Sequence, residues 1–350
     1  MAHHLQTLLQ QWALSADEPW VLALITSVQG SSYRKPGAMM LFHPLGQSLG
    51  ILSGGCLEAD LRHQAHKALT EQRVVEVCYD ARDDQDASYQ LGCGGLVNIC
   101  LLPLGRENHF LALDELRQAL NAGQSGFWQL LMPKAGEAPA ALEARFLSQG
   151  SPSTDAEPLP FPANDFRRTG IWSPETGQNG QQSWLTVPVG PKPALAIFGG
   201  GLDAKPLAQM ALQLDWQVSV VDPRAAYARS HDFAGCDIIK LGADQLDADW
   251  LKRQDGAIVM HHNVELDSAI LKRLQVSCPR YLALLGPTHR RDKVLKHAGL
   301  GLADFAVPLA SPAGLALGGE LPGAIALSIL AQCHGVLFDA PMTGLEGLMP

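Results

Sequence analysis

Apolar residues fall into short runs divided by glycine, proline and polar clusters, and the spacing within those runs predicts the elements. Residues 5–14 read as a short helix, and 20–28 as a buried, β-rich strand. Residues 38–42 and 48–52 flank His43-Pro44-Leu45-Gly46 and predict a hairpin. Leu57, Leu61, Ala65 and Ala68 recur at helical spacing, with Asp60, Arg62 and Lys67 off that stripe, which predicts an amphipathic helix. Strands follow over 74–79 and 96–102, joined through the polar, mostly acidic stretch 80–86, and a helix covers 110–122. Cys78 and Cys100 fall inside those strands and are expected in the core. From 123 to 190 the pattern loosens. Pro152, Pro158, Pro160 and Pro162 mark linker composition, bracketed by candidate strands at 128–132 and 183–187.

Beyond residue 191 strand and helix patterns alternate. Strands are predicted at 194–198, 217–221, 237–241, 256–260 and 280–285, and helices at 205–214, 266–274 and 323–333. Such alternation predicts a Rossmann-like, doubly wound parallel sheet. The expected fold is α/β, with an N-terminal α+β domain containing hairpins over 1–105, a peripheral extension and linker over 106–190, and the Rossmann-like domain over 191–350.

A chain of 350 residues with 47% hydrophobic and 17% charged residues can bury the cores of two domains. Its net charge of -9 argues against a nucleic-acid partner, which would call for a basic face. Cysteines 56, 78, 93, 100, 236, 278 and 333 contain no CxxC pair, so neither a zinc framework nor a secreted disulfide scaffold is expected. No apolar run approaches the roughly 18 residues of a membrane span, and the N-terminus lacks the pattern of a signal peptide. The expected compartment is the cytoplasm.

Candidate chemistry gathers around Ser53-Gly54-Gly55-Cys56-Leu57-Glu58. Cys56 lies at or just before a helix N-terminus, where the dipole favours a thiolate. The two glycines let backbone N–H groups approach a ligand. Such a turn suits a soft metal, a sulfur or an anion, and equally a buried small cysteine. Gly30 to Gly37 carries hydroxyls with Arg34 and Lys35, which fits either a grip on phosphate or carboxylate or a solvated turn. Gly92-Cys93-Gly94-Gly95 places a second cysteine among glycines beside a strand. Further on, Gly199-Gly200-Gly201-Leu202-Asp203-Ala204 matches G-x-G-x-x-A between strand and helix, and Asp222 ends the next strand. Together they form a dinucleotide-type βαβ signature. Gly201, Asp222, His262 and Arg290 fall near the carboxyl ends of strands, where open sheets bind ligands.

Taken together these blocks resemble the xanthine dehydrogenase accessory-factor family (XdhC/CoxI). The first half carries Gly30-Ser31-Ser32-Tyr33-Arg34, Ser53-Gly54-Gly55-Cys56-Leu57-Glu58 and Gly92-Cys93-Gly94-Gly95. The second carries Ile197-Phe198-Gly199-Gly200-Gly201, Val221-Asp222-Pro223-Arg224, Met260-His261-His262-Asn263 with Asp267, Leu284-Leu285-Gly286-Pro287 and Pro312-Ala313-Gly314-Leu315. The resemblance implies a cytoplasmic, homodimeric helper that binds molybdenum cofactor, shelters it during sulfuration and delivers it to a molybdenum hydroxylase client. A cysteine desulfurase or a cofactor-biosynthesis protein would be a further partner. On this reading Cys56 and Cys93 contact molybdenum or carry sulfur. Gly54, Gly55, Gly92 and Gly94 offer backbone N–H groups, and Arg34 with the Gly199 to Gly201 turn takes the phosphate end. Glu58, Asp222, Arg224, His262 and Arg290 complete the binding set. The chain departs from the family at Leu202, at Ala316, Gly323, Ala324 and Gln332, and at the inserted Thr288-His289. Two rival readings are an NAD(P)-dependent oxidoreductase, which leaves both cysteines without a role, and a thiol redox or sulfur-transfer enzyme working through Cys56.

Overall fold

The computed structural model describes residues 4–80, 95–148, 170–172 and 183–340. The chain divides into two compact units, Met1–Pro191 and Lys192–Pro350.

The first unit contains α1 (Leu5–Trp12), β1 (Trp20–Gln29), β2 (Met39–Phe42), β3 (Ser48–Gly50), α2 (Glu58–Glu71), β4 (Val75–Asp80) and β5 (Leu96–Leu104). It continues with α3 (Leu113–Asn121), β6 (Gly126–Leu131), β7 (Ala144–Ser148), β8 (Gly170–Trp172) and β9 (Trp184–Val189). Five strands form an antiparallel sheet in the order β3-β2-β1-β5-β4. Both faces of β1 are covered, which is why it reads as an unbroken apolar run rather than an alternation. Val21, Ala23 and Ile25 pack with Leu61, Ala65 and Ala68 of α2. Trp20, Leu22 and Leu24 face Leu8, Leu9 and Trp12 of α1 and Leu116 of α3.

Three expectations for this unit are corrected. The described residues within 106–190 are not a periphery: β6, β7, β8 and β9 form a second sheet in the order β7-β6-β9-β8. Trp128, Leu130, Leu185 and Val187 of that sheet enter the same core as Trp12 and Trp20, because these strands carry too much apolar surface to remain outside. The helix expected from residue 110 starts only at Leu113. Before it His109, Phe110, Leu111 and Ala112 make a left-handed turn, with φ of 49°, 50°, 53° and 57°. Such a turn costs about 1–2 kcal/mol per residue. It is held by Trp128 Nε1, which donates to the Leu111 carbonyl at 2.8 Å, and by Asn108, whose amide donates to Pro103 O at 2.8 Å. Finally, Cys78 is exposed whereas Cys100 is buried. β4 is an edge strand that buries Val75 and Tyr79 and turns the alternate positions outward.

The second unit contains β10 (Ala194–Phe198), α4 (Ala204–Gln213), β11 (Gln217–Val221), β12 (Asp237–Ile239), α5 (Ala248–Lys252) and β13 (Gly256–Val259). After these come α6 (Val264–Ser277), β14 (Tyr281–Leu284), α7 (Thr288–Ala298), β15 (Leu309–Ala310) and α8 (Pro322–Leu337). All six strands are parallel, in the order β12-β11-β10-β13-β14-β15. Leu195 and Ile197 face α4 and α8, while Ala196 and Phe198 face α6 and α7. This is the Rossmann-like doubly wound arrangement. Its direction of winding reverses between β10 and β13, so the topological switch point lies at their carboxyl ends.

Candidate functional site

In the first unit the loop after β1 and the loop after β3 meet over a cavity of about 170 Å³. Ser31, Ser32, Tyr33 and Arg34 come from the former, Ser53, Gly54 and Cys56 from the latter, and Gly95 and Val97 from the start of β5. Two features shape these loops. The Ser32 hydroxyl donates to the Arg34 carbonyl at 2.7 Å. Gly95 lies so close to the Arg34 loop that a Cβ there would sit 2.0 Å from the Ser31 carbonyl oxygen.

The thiol-bearing turn is organised by Ser53 and Glu58. Glu58 accepts from the Ser53 backbone N–H at 2.9 Å and from the Ser53 hydroxyl. The same hydroxyl oxygen accepts from Gly55 N–H at 3.2 Å and Leu57 N–H at 3.1 Å. Ser53 thereby satisfies the N–H of Leu57, the N-cap residue of α2, whose own side chain makes no capping bond. Burial alone would raise the Glu58 carboxyl; the hydrogen bonds from Ser53 outweigh it and hold the group below its ordinary value. Glu58 therefore clamps the turn.

Cys56 is exposed just before α2, and the space where side chains would project from Gly54 and Gly55 is empty to 4 Å. Gly55 has φ of 110°, which disfavours any residue with a side chain. Among the described residues the Arg34 guanidinium has no hydrogen-bond or ion-pair partner. One soft sulfur, bare backbone, hydroxyls and one cation thus share a cavity suited to a soft or anionic group. By contrast, burial pushes the Cys100 and Cys333 thiols up to about 12, which makes them packing residues.

The structure brings Arg34, Gly54 and Cys56 together. Gly92, Cys93 and Gly94 lie outside the described residues, whereas Gly95, next in the chain, lines the cavity. Gly95 is not among the sequence candidates. Its signal is its place as the second glycine after Cys93, at the mouth of a strand.

A larger groove of about 340 Å³ runs along the other part of α2, lined by His43, Arg62, His63 and His66 among others. The His43 Nε2 atom already lies 2.8 Å from Glu18 Oε2. Among the described residues no three His, Cys, Asp or Glu side chains are grouped to hold a metal ion.

The other candidates belong to the second unit, and there the structure gives most of them partners within the fold. Asp222 is fully buried. Its Oδ1 accepts from Arg224 N at 3.0 Å and Nε at 2.9 Å, and its Oδ2 from Gly200 N at 2.9 Å and Arg224 Nη2 at 2.8 Å. Burial alone would raise this carboxyl; the bonds from Arg224 and Gly200 hold it low instead. The Arg224 guanidinium carbon lies 3.6 Å from the Tyr227 ring centroid. Gly199, with φ of 124°, lets β10 approach β13: a Cβ there would lie 2.5 Å from the Met260 carbonyl.

At the end of β13, His262 Nε2 meets Asp203 Oδ2 at 2.7 Å, with His262 at φ of 57°. The pairing raises the imidazole pKa. Burial would raise Asp203, and His262 lowers it below the ordinary value. Arg290 donates to Asp267 and to the Leu285 carbonyl, the latter at 2.7 Å. Asp267, fully buried, also accepts from His261 Nδ1 at 3.0 Å. Arg290 is thus a structural cation, tying α7 to α6.

Fold and site define a two-unit protein with a cysteine-bearing module and a nucleotide-type fold, and known proteins share both parts. Residues 13–80 match the XdhC and CoxI family, and residues 195–333 match the XdhC Rossmann domain. The chain is 31% identical over 333 residues to a Bacillus subtilis (strain 168) protein described as a probable subunit of xanthine dehydrogenase, covering 91% of this chain and 93% of that protein. A crystal structure described as a xanthine dehydrogenase from Bacillus halodurans superposes with a TM-score of 0.75 at 30% identity, covering 99% of this chain and 100% of the other. The protein belongs to the XdhC and CoxI family.

Proposed function

We propose that this protein is an accessory factor for a xanthine dehydrogenase-type molybdenum hydroxylase, and that it binds molybdenum cofactor, shelters it and hands it to that enzyme. Family membership supports the accessory role. The observation that carries the binding role is the convergence on one cavity of the Cys56 thiol, the open backbone at Gly54 and an Arg34 with no partner among the described residues.

Each residue has a task in that reading. The Cys56 sulfur is a soft donor, matched to molybdenum or to a transferable sulfur. The open backbone at Gly54 meets oxo or sulfido groups without steric cost, while the Gly55 N–H is already given to the Ser53 hydroxyl oxygen. Arg34 pairs with the anionic end of the cargo. The cavity, about 170 Å³, is smaller than the ~300 Å³ and upward of ordinary ligand pockets. It therefore receives the metal-bearing end and leaves the rest of the pterin outside, accessible to a client that must extract it. Cys93, close in sequence to Gly95, is proposed as a second sulfur at this site.

The proposed setting is the cytoplasm, with the client hydroxylase, a sulfur-donating desulfurase and a second copy of this chain as partners. Among the described residues no helix is long and apolar enough to cross a membrane.

The test is anaerobic purification after co-expression with cofactor biosynthesis, followed by molybdenum and pterin analysis. Wild type should carry both, and Cys56→Ala should lose most of the molybdenum. Wild type without pterin sinks the chaperone reading. Undiminished molybdenum in Cys56→Ala removes the proposed metal contact.

A further inference from the structure

The second unit has the strand order, glycine turn and strand-end carboxylate of a dinucleotide-binding fold. We infer that it binds no NAD(P), because its own side chains occupy the places a dinucleotide would use, and that the fold serves as an internally locked scaffold.

The first lock is Asp222 with Arg224. In the dinucleotide mode this carboxylate accepts from the ribose hydroxyls. An ionised carboxylate offers about four lone-pair sites. Here four donors take them: three from Arg224 and one from Gly200. Arg224 cannot simply swing aside, since that would leave a fully buried carboxylate without its counter-charge. The Tyr227 ring flanks the guanidinium at 3.6 Å. The same segment closes over the glycine turn: Ala228 N–H donates to the Gly200 carbonyl at 3.0 Å, and a Cβ on Gly200 would lie 2.3 Å from Ala228 N.

The second lock is Asp203 with His262. A dinucleotide places its pyrophosphate at the N-terminus of the helix after the glycine turn. That helix is α4, and its N-cap residue is Asp203. The space beside Gly201 that would admit the phosphate instead holds the Asp203 carboxylate, 2.6 Å from where a Cβ would be. An anion entering there meets an acid. The 2.7 Å contact with His262 then joins the ends of β10 and β13, across the switch point itself.

The test titrates the full chain with NAD⁺, NADH, NADP⁺ and NADPH by calorimetry, and follows nicotinamide fluorescence for the two reduced forms. No saturable binding is expected up to about 1 mM. Saturation by any of the four with a Kd below that limit overturns the inference. His262→Ala opens only the second lock, so it too should stay silent. Binding that appears in His262→Ala alone would overturn the claim that Asp222 is closed. Neither result depends on molybdenum content, so the accessory-factor reading stands or falls separately.

Discussion

Ser53 and Glu58 fasten the Cys56 turn from both ends: the carboxylate takes the serine's N–H and hydroxyl, and the hydroxyl oxygen in turn takes the N–H groups of Gly55 and Leu57. Four hydrogen bonds therefore hang on a buried serine, which is 4% exposed. Removing one partner leaves the others unsatisfied, at about 1–3 kcal/mol for a buried group. Glu58→Ala is expected to lower unfolding free energy by about that much in urea titrations, and to reduce the molybdenum recovered with the protein although Cys56 is unchanged. The sign with pH follows from the lowered carboxyl. The clamp's contribution is complete above the unfolded-state value of about 4.3 and is lost as pH falls through the lower folded value. A Glu58→Ala variant with wild-type stability and wild-type metal content would show that the clamp is incidental.

Gly95 gives a second prediction. Its missing side chain is what lets β5 approach the Arg34 loop, and a methyl group would fall 2.0 Å from the Ser31 carbonyl. That is backbone, so the loop itself must move. Gly95→Ala is expected to destabilise by about 1–3 kcal/mol, as overpacking does. It should also displace Ser31 and Arg34 from the cavity. A crystal structure of the variant with the Arg34 loop unmoved would refute the account.

The strands and helices are legible because apolar runs of the right length reveal them, and the switch to alternating β and α at residue 191 is clear in the composition. Less visible is the left-handed turn at 109–112. Its residues favour an ordinary helix, and the bonds that hold it come from Asn108 and from Trp128, the latter on another strand. The site is half legible. Glycine-flanked Cys56 and the Arg34 loop stand out as motifs. Glu58 reads as a ligand, and nothing in the sequence says that its carboxylate faces Ser53. Arg290 likewise looks free, because its partner Asp267 is brought to it only by the packing of α6 on α7. Asp222 and Arg224 are two residues apart and conspicuous, yet only coordinates show that all four acceptor positions are filled.

A third prediction concerns Asp203 and His262. The imidazole is raised, so its part of the pair's stability is present below the unfolded value of about 6.5 and is lost as pH rises through the folded value. Asp203 is lowered, so its part is present above about 3.9 and is lost as pH falls. The pair therefore works best in mildly acidic solution. With His262 55% exposed, solvent screening limits it to about 0–1 kcal/mol. Comparing wild type with His262→Ala, the stability gap should be widest near pH 5–6 and shrink on both sides. A gap independent of pH would mean that the substitution acts through packing alone.

The last prediction concerns Gln332. On α8 it uses its amide oxygen twice, accepting from the Tyr281 hydroxyl at 2.8 Å and from Gly314 N–H at 3.0 Å. Tyr281 is buried on β14, and Gly314 sits at φ of 95° in the loop packed on α8, where a Cβ would lie 2.3 Å from the Ser328 hydroxyl oxygen. One neutral oxygen thus joins strand, loop and helix. Gln332→Ala strands two donors, one on a buried side chain, and is expected to cost about 1–3 kcal/mol. Gln332→Glu keeps an acceptor oxygen in place whether or not its carboxyl is protonated, and should retain most of the stability. Urea titration of the three proteins at pH 7 separates the cases. If alanine and glutamate behave alike at pH 7, the oxygen is not what holds the loop to α8.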